Sequence, residues 1–106
     1  MTTTLDKVRQ LERYIAVNSA AVDSVMEMTL DKLLSREIAR LLDLKANLAD
    51  QLAKFEESYG LKSADFYARY ENGEMGDEMD LVEWSATVEM MANVDKRLAL
   101  LERETN

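Results

Sequence analysis

The chain has 106 residues, a formal net charge of −8 and no histidine or cysteine. Its length predicts one domain, residues 1–106. The missing residue types exclude disulfides, the usual zinc ligands and most nucleophile–base pairs. The sequence contains no glycine-rich phosphate loop, and its acids lack the order of a calcium-binding loop. We therefore expect no enzyme activity, no cofactor and no metal site.

Two further features concern location. No run of about 18 uncharged apolar residues could span a bilayer. The N-terminus lacks the basic and then apolar order of a secretory signal. Together with the absence of cysteine, these features predict a cytoplasmic protein that does not bind membranes.

The first predicted helix covers residues 5–17, with Thr4 as its N-cap. Its apolar side chains recur at helical spacing, at Leu5, Val8, Leu11 and Ile15. Its basic side chains are Lys7, Arg9 and Arg13. These cations leave contact with DNA open, but beside Asp6 and Glu12 they are more typical of a solvated helix face.

A short helix is predicted within residues 18–29, and Thr29 could cap the next one. The strongest pattern follows, a helix over residues 30–59 with a heptad seam. The seam consists of Leu34, Ile38, Leu41, Lys45, Leu48, Leu52, Phe55 and Tyr59. Lys45 is the one polar residue in it.

Glycines divide the rest of the chain. Gly60 is predicted to end the long helix, and Ser63 to cap a short helix over residues 64–72. Asp80 is predicted to cap the last helix, residues 81–103, with Arg103 favourably placed near its C-terminal end. The apolar stripe of that helix is interrupted by Asp95 and consists of Leu81, Trp84, Val88, Met91, Leu98 and Leu101.

These elements predict an all-α fold. The two longest helices form an antiparallel, coiled-coil-like hairpin, and the N-terminal helix extends this bundle, either within the chain or across a two-fold dimer. The short helix and an acidic loop lie between the hairpin arms. Because the seam is longer than the last helix can cover, we expect a homodimer.

The segment between the arms is the predicted partner-binding site. Residues 61–80 contain six acids and two bases, a charge of −4. Aromatic and methionine side chains lie among these acids, a combination that suits binding to a basic protein. The candidate partner-binding residues are Phe66, Tyr67, Tyr70, Glu71, Glu74, Met75, Asp77, Glu78, Met79 and Trp84. For Trp84 a structural role, anchoring the loop on the long helix, is favoured, and Met75 and Met79 could equally contact the protein's own helices.

Residues 55–85 also carry a resemblance. The motifs are Phe55–Leu61, then Ser63, Asp65–Tyr67, Arg69, Glu71, Gly73–Asp77, Asp80 and Glu83–Ser85. This pattern resembles a family of small prokaryotic helical proteins, many of them antitoxin components of toxin–antitoxin pairs. The resemblance implies a partner-binding protein whose target is a toxin, with a nuclease as the expected kind. It supplies no catalytic residues.

Two other functions stay open at this point. One is a structural or scaffold role for the helices. The other is a DNA-binding transcriptional regulator, as many antitoxins also bind their own promoter. The sequence contains no recognisable ribbon-helix-helix or helix-turn-helix, which argues against such autoregulation.

Overall fold

The computed structural model describes residues 2–102, and the chain divides into two compact units, residues 1–35 and 36–106. Residues 2–102 contain no β-strand, which confirms the all-α prediction. The prediction of a single domain stays a prediction. The helices are α1 (Thr4–Val17), α2 (Ser24–Tyr59), α3 (Ser63–Glu71) and α4 (Met79–Leu101), with one 3-10 turn at Ser19–Ala21.

The start of α1 lies one residue earlier than predicted. Thr3, not Thr4, is the N-cap, and its hydroxyl accepts a hydrogen bond of 3.1 Å from the Asp6 amide. The Asp6 carboxylate accepts one of 3.2 Å from the Thr3 amide in return. This reciprocal capping box requires a polar acceptor three residues after the cap, and Asp6 stands at that distance from Thr3.

The segment before α2 also differs from the prediction. Residues 19–21 form only a 3-10 turn, and α2 begins at Ser24 instead of near residue 30. Asp23 explains the early start, because its carboxylate accepts a hydrogen bond of 2.9 Å from the Met26 amide. Thr29 is therefore inside the helix, not at its cap, and its hydroxyl donates to the Val25 carbonyl at 2.7 Å.

Within residues 36–106, α2 and α4 form the predicted antiparallel hairpin. Leu41 and Leu48 of α2 pack against Val94 and Leu98 of α4 in one buried cluster. Farther along α2, Phe55 packs against Trp84, which lies nearer the start of α4. Because later residues of α2 meet earlier residues of α4, the two helices run in opposite directions.

The two polar interruptions of the apolar seams meet each other. Lys45 Nζ lies 2.8 Å from Asp95 Oδ1, and each side chain is about half exposed (44% and 50%). Water therefore solvates both charges, and an ion pair of this kind contributes about 0.2–1 kcal/mol. Lys45 and Asp95 thus occupy seam positions without burying an unpaired charge.

The ends of the remaining helices require three corrections. Gly60 ends α2 with φ of 62°, as predicted. The N-cap of α3 is Lys62, not Ser63, and that of α4 is Glu78, not Asp80; neither makes a side-chain capping hydrogen bond. The α4 helix ends at Leu101, and Arg103 lies outside the described residues.

Candidate protein-binding site

Trp84 is at the centre of the region that joins α3, the following loop and the hairpin. Its ring has no exposed surface, and neither has that of Phe66. The two rings stack with centroids 3.9 Å apart and planes 1° apart. Phe55 and Tyr59 of α2 also stack on Trp84, at 5.5 Å and 5.4 Å. This aromatic cluster holds α3 against both arms of the hairpin.

Ser63 connects the same three helices through hydrogen bonds. The Trp84 indole Nε1–H donates to the Ser63 hydroxyl at 2.9 Å. The Ser63 amide donates to the Glu56 carboxylate of α2 at 2.8 Å. That amide is the main reason why the pKa of Glu56 is lowered, since it stabilises the ionised carboxylate. The start of α3 is therefore fixed to α2 and to α4 at one residue.

The loop between α3 and α4 presents the acids to solvent. Gly73 and Gly76 have φ of 76° and 84°, a backbone conformation that other residues rarely adopt. The Gly73 turn ends α3, with the Glu74 amide donating to the Arg69 carbonyl at 2.9 Å. The carboxylates of Glu71, Glu74, Asp77 and Glu78 are all exposed. A strongly negative surface thus lies beside the buried aromatic cluster.

A polar cluster forms around Tyr67 on the adjoining surface. Its hydroxyl oxygen lies 3.0 Å from Glu71 Oε1 and 3.3 Å from Glu89 Oε2, and its single proton is donated to one of them at a time. The Ser85 hydroxyl donates to the same Glu89 oxygen at 3.5 Å. The hydrogen bond to Glu71, then desolvation and the charges of both acids raise the pKa of Tyr67 to about 12.

This shift predicts a loss of stability at high pH. The ordinary tyrosine pKa is 10.0, so the unfolded chain releases the proton before the folded protein does. The contribution of Tyr67 is fully present below pH 10 and is lost as the pH rises to about 12. Urea unfolding midpoints across this interval should fall less steeply for Tyr67→Phe than for the wild type. Glu71→Gln should give an intermediate slope, and equal slopes for all three proteins would contradict the assignment.

A cleft of about 540 Å³ lies where α2 meets the start of α4. Its lining includes the rings of Phe55 and Tyr59 and the carboxylates of Asp80 and Glu83. The Tyr59 hydroxyl donates to Asp80 Oδ2 at 3.4 Å. Desolvation first, and then the negative charges of Asp80 and Glu78, raise the pKa of Tyr59. Asp80 thus borders the cleft instead of capping α4.

The predicted site residues fall into three groups. Phe66 and Trp84 are buried, so Phe66 is corrected from a contact residue to a support of the surface above it, whereas the burial of Trp84 agrees with the structural role that was favoured for it. Tyr67, Tyr70 and Met75 are half-buried, and all three pack against the aromatic cluster. The exposed residues are Glu71, Glu74, Asp77, Glu78 and Met79, the last with 71% of its surface accessible.

Two residues that shape this surface, Glu56 and Glu89, were not among the predicted site residues, and Ser63 was predicted only as the cap of the short helix. Glu56 and Ser63 fix the start of α3, and Glu89 accepts hydrogen bonds from Tyr67 and Ser85. The one local signal was the i,i+4 spacing of Ser85 and Glu89, which places them on one face of a helix. The contact of Glu89 with Tyr67 spans 22 residues, so local spacing could not predict it.

No family model, curated protein or solved structure matches this chain. Among the described residues, no helix is long and apolar enough to cross a membrane. Residues 2–102 also contain no group of three or more acids arranged to hold a metal ion. The basic side chains considered for DNA contact, Lys7, Arg9 and Arg13, are exposed on α1.

Proposed function

We propose that this protein is a non-enzymatic, cytoplasmic binding module whose acidic segment, residues 66–84, binds a basic protein. The observation that carries the proposal is the division of charge between the two units. Residues 36–106 hold sixteen acids and nine bases, a charge of −7, whereas residues 1–35 hold five acids and four bases, a charge of −1. A basic partner is therefore attracted to the second unit.

The geometry supports binding at the acidic segment in particular. Exposed carboxylates at Glu74, Asp77 and Glu78 supply long-range attraction, which speeds encounter and orients the partner. Met79 adds an exposed apolar side chain that adapts its shape to a partner surface. The buried stack beneath keeps the start of α4 rigid, so little conformational entropy is lost on binding.

The identity of the partner as a toxin rests on the resemblance of residues 55–85 to antitoxins. In such a pair, the acidic segment masks a basic surface of the toxin. A nuclease has such a surface, because it must bind phosphates through clustered cations. Carboxylates of this protein then pair with the basic side chains through which the nuclease binds nucleic acid.

The test is a charge-neutralising triple variant, Glu74→Gln, Asp77→Asn and Glu78→Gln. We expect it to fold normally and to associate with a small basic partner protein about tenfold or more slowly than the wild type does at low salt; candidate partners are small basic proteins identified by examining the neighbouring genes. The difference should shrink as salt is added. The measurement is the association rate constant at several salt concentrations, by surface plasmon resonance with the partner immobilised.

A matched control separates the site from the overall charge. Asp43→Asn with Asp50→Asn and Glu102→Gln removes three exposed acids of the same unit outside the segment. The control variant should retain most of the association rate. If both triple variants associate as the wild type does at every salt concentration, or if no basic partner binds, the acidic segment is only a solvated connection and the scaffold role is favoured.

We also infer that the protein is a homodimer. The α2 helix has 36 residues and α4 has 23, so at about 1.5 Å per residue the first is roughly 20 Å longer. A second copy would cover apolar positions of α2 that have no counterpart in α4. The expected mass in solution is twice the 12.1 kDa of the chain.

A further inference from the structure

Residues 2–35 form helices without burying a single side chain. In α1, the apolar positions Leu5, Val8 and Leu11 are all exposed, Val8 by 58%. A helix of 14 residues is marginal in water unless its apolar face is packed. The stability of α1 therefore requires that something cover this face.

The seam of α2 shows a similar uncovered position. Leu34, Leu41 and Leu48 occupy the same heptad position, seven residues apart. Leu41 and Leu48 are buried, with 7% and 1% exposed, whereas Leu34 is 47% exposed. Leu34 is therefore a seam position within residues 1–35 that stays largely exposed, although it has the same chemistry as the packed positions.

The low net charge of residues 1–35 favours a second copy of this chain as the partner that covers these exposed apolar side chains. The α1 helix carries charges of both signs, with Asp6 and Glu12 set among Lys7, Arg9 and Arg13. Residues 1–35 carry only −1, so two copies can meet there with little repulsion, whereas two units of −7 repel each other. A strongly basic partner gains little attraction from a nearly neutral unit.

We propose that residues 1–35 form the homodimer interface and that a second copy of this chain covers Leu5, Val8, Leu11 and Leu34. This inference rests on the proposed homodimer and assigns it a surface. The two units then have separate tasks: the nearly neutral unit self-associates and leaves the acidic unit of each copy free. One dimer would offer two acidic segments to partners.

The first experiment compares two double variants by sedimentation at concentrations up to tens of micromolar. Val8→Glu with Leu11→Glu lowers the net charge by two and places carboxylates on the apolar face. Arg9→Gln with Gln10→Glu lowers the charge equally on the polar side of α1. We expect the wild type and the second variant at twice 12.1 kDa and the first at 12.1 kDa.

The outcomes test the homodimer and its proposed interface separately. A wild type that stays monomeric throughout overturns the homodimer, and with it this interface. A dimer that persists in the Val8/Leu11 variant overturns the interface alone. The fluorescence of Trp84, which lies in the other unit, reports whether each variant keeps the hairpin.

A second experiment does not depend on disrupting the surface. Because the chain contains no cysteine, a single Val8→Cys variant has one thiol, as does Arg13→Cys on the polar side of α1. At concentrations where the protein is a dimer, we expect the Val8→Cys thiol to react with a soluble maleimide at least about tenfold more slowly than the Arg13→Cys thiol, because the second copy covers residue 8 and limits access of the reagent. Equal rates for the two variants would contradict the proposed interface.

Discussion

Trp84→Ala should lower the free energy of unfolding by about 3–5 kcal/mol, the usual result of removing a fully buried tryptophan. The substitution removes the stacking partner of Phe66, Phe55 and Tyr59 and leaves a cavity between three helices. For a domain of this size the melting temperature should fall by more than about 12 °C. Thermal and urea unfolding followed by circular dichroism measure the effect.

Two controls divide that effect into packing and hydrogen bonding. Trp84→Phe keeps a ring in the stack but loses the indole N–H. Ser63→Ala keeps the ring and leaves the indole N–H without its acceptor, which should cost about 1–3 kcal/mol. If Trp84→Ala were no more destabilising than Ser63→Ala, the aromatic cluster would not be the packing centre of this region.

Leu48→Ala should lower the free energy of unfolding by about 2–5 kcal/mol, because Leu48 is 1% exposed between α2 and α4. Val94 and Leu98 would lose their packing partner across the hairpin. Urea unfolding followed by circular dichroism measures the change.

Leu42→Ala is the matched control for this prediction. It makes the same substitution in the same helix, six residues earlier, at a side chain that is 48% exposed. A surface change of this kind should stay within about 0.5 kcal/mol of the wild type. Equal destabilisation by the two variants would show that the hairpin does not bury the seam at Leu48.

The four α-helices and the C-terminal ends of α1 and α2 could be predicted from local sequence. The heptad spacing of α2 and the glycine at residue 60 act over a few residues, and both features are present in the structure. Helix starts were less predictable, because several polar residues compete as caps. At α1, Thr3 is the cap instead of Thr4, since only Thr3 has Asp6 three residues ahead of it.

The charge of the candidate site could be predicted from the sequence, but the burial of its individual side chains could not. The run of acids from Glu71 to Asp80 is a property of the sequence, and all five of them are exposed. Phe66 and Met79 are both large apolar residues in the same segment, yet one is fully buried and the other is 71% exposed. Helical spacing does not distinguish these environments, because Phe66 of α3 is buried by its contact with Trp84 of α4, which is distant in sequence.

The sequence by itself determined the helical class, the heptad seam and the acidic segment, because periodicity, helix propensity and charge are local properties of the chain. Only the tertiary structure decided which residues meet. Lys45 and Asp95 each interrupted an apolar pattern, and their ion pair at 2.8 Å links positions fifty residues apart. Trp84 and Ser63 likewise meet across 21 residues. Such pairs depend on the register of two packed helices, which is set by the sum of many side-chain contacts.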